Sequence, residues 1–227
     1  MGTPEYYVSA IRELYRQHAN PENAVQMKRY MKNQFEFFGL KKPERVELSK
    51  QVIQNQAIPE SETLKEVCRL CFQEDQREMQ YFVYDLLGKR TKLLDDSFLD
   101  TFEVLILQKS WWDTVDFLAP KLAGKILLKY PNKISQYPGR WIQSENFWLQ
   151  RSAILFQLDY KEKTNPQLLF SFIQKRADSK EFFVQKAAGW ALREYSKTNP
   201  DAVREFIENN TLPKLTVREG SKRLDRT

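Results

Sequence analysis

Glycine and histidine are scarce in this chain of 227 residues. Only 7 glycines occur, which is about half of the usual share. The patterns G-x-G-x-x-G and G-x-x-x-x-G-K-[ST] are missing, so no glycine-rich loop is predicted to hold a nucleotide phosphate. His18 is the only histidine. Its isolation excludes an H-E-x-x-H zinc site, and any Ser-His or Cys-His dyad would have to use His18.

Long hydrophobic runs and paired cysteine motifs are also missing. No run approaches the roughly 18 apolar residues that span a bilayer, and residues 1–7 lack the basic and apolar regions of a signal peptide. We therefore expect a soluble, non-exported protein without membrane attachment. Cys68 and Cys71 form one C-R-L-C pair, and without a second pair they cannot complete a four-ligand zinc site. We expect two reduced thiols within a helix.

Positive charge is concentrated in the last third of the chain. Lysine and arginine number 36 against 30 acidic residues, a formal net charge of +6. Residues 140–227 carry 16 basic and 11 acidic side chains, whereas residues 1–139 carry 20 and 19. This asymmetry is typical of a surface that faces a polyanion. On charge alone, a solvated lysine-rich face explains it better.

Helical periodicity dominates the sequence. Apolar residues recur at spacings of three and four in the segments Glu62–Phe72, Phe98–Leu107, Asn146–Leu158 and Phe182–Tyr195. Prolines mark the start of new segments, at Pro43, Pro131, Pro166 and Pro200, and the last two stand in T-N-P triplets that predict an Asn cap followed by a helix. Because no flexible linker interrupts the pattern, we predict one all-α domain over residues 1–227.

The sequence repeats itself at an interval of 35 residues. WLQRSAILFQLDY (148–160) aligns with FVQKAAGWALREY (183–195), and a fainter copy 70 residues upstream aligns Met79, Gln80 and Val83 with Leu149, Gln150 and Ala153. Helix pairs that repeat at an interval of about 35 residues are typical of an α-solenoid, in which stacked pairs form one core and one concave face. The prediction is therefore a solenoid of HEAT-like repeats.

The repeat register predicts which side chains share the concave face. It places Asp116, Arg151 and Lys186 at equivalent positions on three successive helices, with Trp112 one turn before Asp116. Four side chains stand at i, i+4, i+7 and i+11 on one helix face: Lys186, Trp190, Arg193 and Lys197. One acid, two indoles and several cations are thus expected on one surface.

This combination suggests chemistry on a cation within DNA. Cations along a groove neutralise phosphates, whereas indole faces and a carboxylate attract positive charge. An N3- or N7-alkylated purine is such a cation, and its departure leaves an oxocarbenium-like sugar. We predict that Asp116 stabilises this charge and positions the attacking water, while Trp112 and Trp190 hold the cationic nucleotide.

Each of these residues also has a purely structural interpretation. The two indoles are candidates for the core, and Asp116 is a candidate for an ion pair with Arg151 between adjacent helices. The cations form an ordinary wet face in this interpretation, and Tyr30 packs against its neighbours. Convergence on one face favours the functional interpretation.

Five strings of the sequence resemble the AlkD family of bacterial alkylpurine DNA glycosylases over about residues 5–222. They are RYMKNQFEFFG (29–39), PER (43–45), SWWDTVD (110–116), WLQRSAILFQL (148–158) and SKEFFVQKAAGWALREYSKTNP (179–200). The resemblance implies HEAT-like repeats around duplex DNA and hydrolysis of the N-glycosidic bond of N3- and N7-alkylated purines. It also implies base excision repair without metal, cofactor or base flipping, by a monomer in the bacterial cytoplasm at the nucleoid.

The resemblance also implies roles for single residues. It makes Asp116, Trp112, Trp190 and Arg151 the catalytic set, with Arg151 supporting the site and the DNA backbone. Tyr30 matches a tyrosine near the lesion, and we expect it to bind DNA together with three cations, Lys186, Arg193 and Lys197. Asp159 stands where a basic residue is expected, which puts one backbone contact in doubt. A related branch of the family lacks the catalytic acid, so the presence of Asp116 favours the active branch.

Two functions from other classes compete with excision. The first is a helical-repeat scaffold that binds an acidic peptide on its concave face, which the fold alone does not exclude. The second is a structure-specific DNA binder without chemistry. A carboxylate between indoles has no use in an acidic-peptide binder, so this feature favours excision over the scaffold.

Overall fold

A computed structural model describes residues 3–55, 60–88 and 90–226. Over these residues the regular structure is helical and no strand is formed, which confirms the predicted all-α helical-repeat fold. None of the described helices is long and apolar enough to cross a membrane. Contacts divide the chain into two compact units, Met1–Leu94 and Asp95–Thr227. The single domain over residues 1–227 stays a prediction.

The first unit contains five α-helices within its described residues. They are α1 Pro4–Gln17, α2 Pro21–Tyr30, α3 Lys42–Asn55, α4 Ser61–Gln73 and α5 Arg77–Gly88, followed by a 3-10 turn at Thr91–Leu93. Cys68 and Cys71 are free and fully buried in α4, as predicted. Burial raises the pKa of both thiols, that of Cys68 to about 12.

A buried carboxylate holds the loop that follows α2. Glu78 accepts hydrogen bonds from the backbone N–H groups of Phe38, Gly39 and Leu40 at 3.0, 2.8 and 3.1 Å. Gly39 has a φ of 92°, and a Cβ there would lie 2.0 Å from the carbonyl oxygen of Asn20. Only glycine fits this position, so the loop returns tightly against the start of α2.

The second unit holds the repeats that carry most of the predicted site. Its α-helices are α6 Phe98–Leu107, α7 Trp112–Phe117, α8 Gly124–Lys129, α9 Pro138–Trp141, α10 Phe147–Leu155, α11 Pro166–Lys175, α12 Phe182–Tyr195, α13 Pro200–Glu208 and α14 Lys214–Gly220. A π-helical turn at Leu118–Ala123 joins α7 to α8, and 3-10 turns occupy Pro131–Lys133, Lys161–Lys163 and Ser221–Arg226.

The helix starts confirm the 35-residue interval. Helices α7, α10 and α12 begin at Trp112, Phe147 and Phe182, and α3 and α5 begin at Lys42 and Arg77. Helices α11 and α13 begin at the prolines of the two T-N-P triplets. The preceding Asn165 and Asn199 accept the N–H groups of Leu168 and Ala202 at 3.0 Å each, as the triplets predict.

A repeated glutamine shows that the fainter copy is structural as well. The side-chain amides of Gln80, Gln150 and Gln185 each donate to the carbonyl oxygen six residues earlier, at 3.0, 2.7 and 2.8 Å. The acceptors lie in the loops that enter α5, α10 and α12. Each glutamine thus gives a hydrogen bond to a carbonyl of the loop that precedes its helix.

The structure corrects one predicted boundary. The periodicity predicts a helix through Leu158, but α10 ends at Leu155. Gln157 instead binds the loop before α11, accepting the Asn165 N–H at 2.8 Å and donating to its carbonyl at 3.3 Å. The apolar residue Phe156 remains buried beyond the helix end, which explains why the apolar pattern runs past it.

Replacing Gly124 with alanine tests the close packing between α8 and the end of α10. An added Cβ would lie 2.2 Å from the Phe156 carbonyl oxygen, and overpacking of this kind costs about 1–3 kcal/mol. We expect Gly124→Ala to lower the free energy of unfolding by that amount in urea titrations. Gly139→Ala is the control, because its Cβ meets its nearest atom at 3.3 Å. Equal unfolding midpoints for Gly124→Ala and the unaltered chain would contradict the packing argument.

Candidate functional site

Asp116 and Arg151 form a bidentate ion pair between two repeats. Each is the fifth residue of its helix, in α7 and α10, and these helices contact one another. The Arg151 Nε donates to Asp116 Oδ1 and Nη2 donates to Oδ2, both at 2.8 Å. The structural alternative of an Asp116–Arg151 pair is therefore confirmed, and it fixes the orientation of the carboxylate.

The guanidinium of Arg151 is held on its other side as well. Its Nη1 donates to the Phe183 carbonyl oxygen at 2.6 Å, and its side chain is 4% exposed against 19% for Asp116. The expected contact of Arg151 with the DNA backbone stays a prediction. The carboxylate, however, keeps an open side.

The ring of Phe183 lies beside this ion pair and belongs to an aromatic cluster with Trp111 and Trp148. Trp111 lies 5.8 Å from Trp148 and 5.3 Å from Phe183, and Trp148 and Phe183 are 4.7 Å apart between ring centroids. The Phe183 ring also lies 5.9 Å from the guanidinium carbon of Arg151. Apolar rings exclude water, so interactions with the ion pair are stronger here than at an open surface.

Burial controls the proton affinity of Asp116. It raises the pKa of the carboxyl above its ordinary value of 3.8, while the hydrogen bonds and charge of Arg151 act in the opposite direction. A raised pKa means that the folded protein binds this proton more tightly than the unfolded chain does. Ionised Asp116 therefore costs folding free energy, and this cost disappears as the pH falls below its pKa.

Neither predicted indole belongs to the core. Trp112, at the start of α7, and Trp190, in the middle of α12, are both half-buried. Trp112 stands one helical turn before Asp116. Trp190 stands between Lys186 and Arg193, one turn from each. Both rings thus retain surface for a ligand.

The predicted cationic stripe of α12 is organised by an acid that sequence reasoning missed. Glu219 of α14 accepts Lys186 Nζ at 2.8 Å, Arg193 Nη1 at 2.9 Å and Lys222 Nζ at 2.8 Å. The hydrogen bonds from Lys186 and Lys222 lower the pKa of Glu219 from 4.5 to about 2. Its ionised form therefore stabilises the fold above pH 4.5, and this contribution is lost as the pH falls toward about 2.

Two further predicted positions pair with neighbours at the surface. Lys197 Nζ lies 2.6 Å from a carboxylate oxygen of Glu194. Asp159, which stands where a basic residue was expected, accepts Lys121 Nζ at 2.7 Å. Asp159 therefore has a structural partner of its own.

Tyr30 lies in the first unit, at the end of α2. It is 71% exposed, so most of its surface is accessible to a ligand, and its DNA-binding role stays a prediction. The residues that follow it, Lys32 and Asn33, both have a φ of 57°, a backbone conformation that directs the chain away from the helix.

No metal site emerges from the described residues. Within 3–55, 60–88 and 90–226, no three side chains among His, Cys, Asp and Glu are grouped so that they could hold an ion. The single histidine, His18, uses its Nδ1 in a hydrogen bond with the Leu14 carbonyl at 2.9 Å.

One signal in the sequence points to Glu219. Gly189 interrupts the middle of α12, where a helix ordinarily avoids glycine. A Cβ at Gly189 would lie 2.5 Å from the Glu219 Cβ and 2.9 Å from the Thr216 carbonyl oxygen. An isolated glycine of this kind indicates close approach by another backbone, although it does not say which.

A family model and a solved structure point to the same family for this chain. The sequence model of a family described as DNA alkylation repair enzyme matches residues 11–224. The structure is similar to that of a predicted DNA alkylation repair enzyme from Enterococcus faecalis, with 38% identity, a TM-score of 0.85, and coverage of 92% of this chain and 98% of that chain. A search of curated proteins gave no match.

Two solved structures from Streptococcus mutans share the fold at lower identity. AlkD2 is 21% identical with a TM-score of 0.61, covering 82% of this chain and 91% of that chain. The protein smu.31 from strain UA159 is 19% identical with a TM-score of 0.59, covering 92% and 98%. These similarities support the helical-repeat fold.

Replacing Arg151 with methionine tests the balance that sets the pKa of Asp116. The change removes the hydrogen bonds and charge that oppose burial, so we expect the pKa of Asp116 to rise further. Carbon-13 shifts of the side-chain carboxyl, followed through a pH titration, measure this directly. Lys121→Met removes a surface cation paired with another aspartate and should leave Asp116 unchanged. An unchanged or lower pKa in Arg151→Met would refute this assignment of causes.

Proposed function

The chain belongs to the family of DNA alkylation repair enzymes, and we propose that it excises positively charged N3- and N7-alkylated purines from duplex DNA. The observation that carries this proposal is the Asp116 carboxylate, fixed by two 2.8 Å hydrogen bonds from Arg151 and still 19% exposed. The reaction is hydrolysis of the N-glycosidic bond by a monofunctional DNA glycosylase.

Asp116 stabilises the sugar as the bond breaks. The bonding electrons between C1′ and the purine nitrogen go to the base, which leaves neutral, and positive charge develops on the deoxyribose. A carboxylate already held in place needs no reorganisation to meet that charge, and one preorganised group of this kind is worth roughly 3–4 kcal/mol. Water, held by a hydrogen bond to Asp116, then adds to C1′ and releases its extra proton to the solvent.

Arg151 acts through Asp116. Three of its nitrogens bind Asp116 and the Phe183 carbonyl, so its guanidinium is a positioning group that does not touch the nucleotide. Its charge also favours the ionised carboxylate that the reaction needs. In this proposal, Trp112 and Trp190 supply the aromatic faces for the cationic nucleotide.

Recognition in this proposal depends on charge and on the sugar-phosphate backbone. Lys186, Arg193 and Lys197 neutralise phosphates without reading sequence, and Tyr30 contributes an exposed ring from the first unit. The base need not turn into a pocket, so the protein works without base flipping. We propose that it acts as a monomer on DNA of the nucleoid, without metal or cofactor.

Replacing Asp116 with asparagine tests the catalytic assignment. Because the lost charge acts on the sugar cation and not on phosphates, we expect excision of 7-methylguanine to fall by about 100-fold or more while duplex binding survives. Single-turnover base release measures the first quantity and a binding titration measures the second.

Asp113→Asn is the matched control for this variant. It removes the same charge one turn away on α7 and should keep most of the activity. If Asp116→Asn excises as fast as the unaltered chain, Asp116 is not the catalytic group. If the unaltered chain releases no base from alkylated duplex, the proposed function itself is wrong, and loss of release on chelation would contradict the metal-free mechanism.

Replacing Lys186 with alanine tests the DNA-facing role of α12. One cation fewer should weaken binding to any duplex and reduce the slope of log K against log salt by about one. Lys175→Ala, in the last turn of α11 of the same unit, provides the control. A Lys186→Ala slope equal to that of Lys175→Ala would show that Lys186 faces no phosphate.

A further inference from the structure

Glu219 lies beneath three cations that come from two parts of the second unit. Its side chain is 4% exposed, whereas those of Lys186, Arg193 and Lys222 are 38%, 29% and 49% exposed. The carboxylate is therefore at the bottom of the cluster, and the cationic groups extend above it toward solvent.

Packing between α12 and α14 fixes Glu219 in this place. Gly189 provides the space for the Glu219 Cβ, and the Thr216 hydroxyl donates to the Gln185 carbonyl at 3.0 Å. Both contacts join the same pair of helices. The acid is thus held by the backbone, while its three partners have long, flexible side chains.

We propose that Glu219 is a positioning residue that gathers Lys186, Arg193 and Lys222 into a binding site for one backbone phosphodiester of duplex DNA. This inference rests on the proposed function. It adds Glu219 and the carboxyl-terminal turn Ser221–Arg226 to the DNA-binding surface, through Lys222.

The charges of the cluster favour an anion with several oxygens. Three cations and one carboxylate leave a net charge of +2. Each ammonium group carries three N–H donors, and the guanidinium of Arg193 carries five. Among the described residues, the contact of Arg193 with Glu219 uses only Nη1. The remaining donors can point away from Glu219, where the oxygens of a phosphodiester would accept them.

The position of the cluster places the phosphate near the lesion. Lys186 and Arg193 lie one turn before and one turn after Trp190 on the same helix. A phosphate bound between their charged groups would therefore flank the nucleotide that Trp190 contacts. Without Glu219, the three like charges would repel one another and spread apart, so they would remain near the DNA without holding one phosphate in a fixed position.

A purely structural role for Glu219 makes a different prediction. If the acid only ties α14 to α12, its loss lowers thermal stability, and every effect on DNA follows from the smaller folded fraction. If Glu219 is instead a positioning residue, its carboxylate also holds the three cations together and offsets part of their positive charge. Glu219→Gln then leaves a net +3, so undamaged duplex binds with a salt slope steeper by about one while the rate of excision falls.

The experiment compares charge-matched pairs of variants. Glu219→Gln is paired with Glu205→Gln on α13, and Lys222→Gln is paired with Arg223→Gln, the adjacent exposed cation in the same turn. Each protein is measured for the salt slope on undamaged duplex, the single-turnover excision of 7-methylguanine, and the thermal midpoint. Lys222→Gln and Arg223→Gln change surface residues, so this pair still decides the test if Glu219→Gln folds poorly.

We expect Glu219→Gln to steepen the slope by about one and to slow excision by about 10- to 100-fold, because small displacements of positioned groups have effects up to that order. We expect Lys222→Gln, unlike Arg223→Gln, to reduce the slope by about one and to slow excision. Slopes and rates that match within each pair would overturn the inference, as would losses in Glu219→Gln that follow its thermal midpoint alone.

The design also separates this inference from the proposed function. Should the unaltered chain release no alkylated base, the glycosylase assignment is wrong, and the slopes on undamaged duplex still decide whether Glu219 organises a phosphate site. Should it release base while both pairs behave alike, the function stands and the phosphate site is rejected.

Discussion

The ion pair of Asp116 with Arg151 is the interaction on which the arrangement of the site depends. Burying two charges is costly unless both are paired and hydrogen-bonded, and removing one partner of such a pair costs about 3–5 kcal/mol. The geometry meets this demand with two contacts to the carboxylate and a third to the Phe183 carbonyl. Residues of three successive repeats, which begin at α7, α10 and α12, therefore take part in one hydrogen-bonded network.

Two carboxylates in the same unit show how surroundings divide the work. Asp116 has one cation and an aromatic environment, and burial raises its pKa. Glu219 has three cations, and their hydrogen bonds lower its pKa to about 2. One cation thus compensates the charge of Asp116 only in part, beside an open surface. The charge of Glu219 is fully compensated by the three cations above it. Such a contrast in environment agrees with the separate roles that we propose for the two acids.

The sequence repeat made the Asp116–Arg151 pair and several helix starts predictable, because each interval of 35 residues returns a side chain to the same place on the next helix. It aligned Asp116 with Arg151, and the T-N-P triplets located the starts of α11 and α13. Glu219 escaped prediction because it lies on α14, which begins at Lys214 and so departs from the interval. The end of α10 also escaped, because Gln157 and not apolar spacing determines it. Partners of surface charges, such as Lys121 for Asp159, depend on tertiary proximity that no local pattern encodes.

The constant interval between helix starts constrains how proteins of this kind diversify. Duplication or loss of one whole repeat preserves the glutamine contacts within each remaining repeat, because every such glutamine bonds to a carbonyl only six residues away. The segment from α7 to α12 has no such tolerance, because a repeat inserted there would separate Asp116 from Arg151 or Arg151 from the Phe183 carbonyl. We therefore expect related chains that keep this site to change length by whole repeats only outside the segment from α7 to α12.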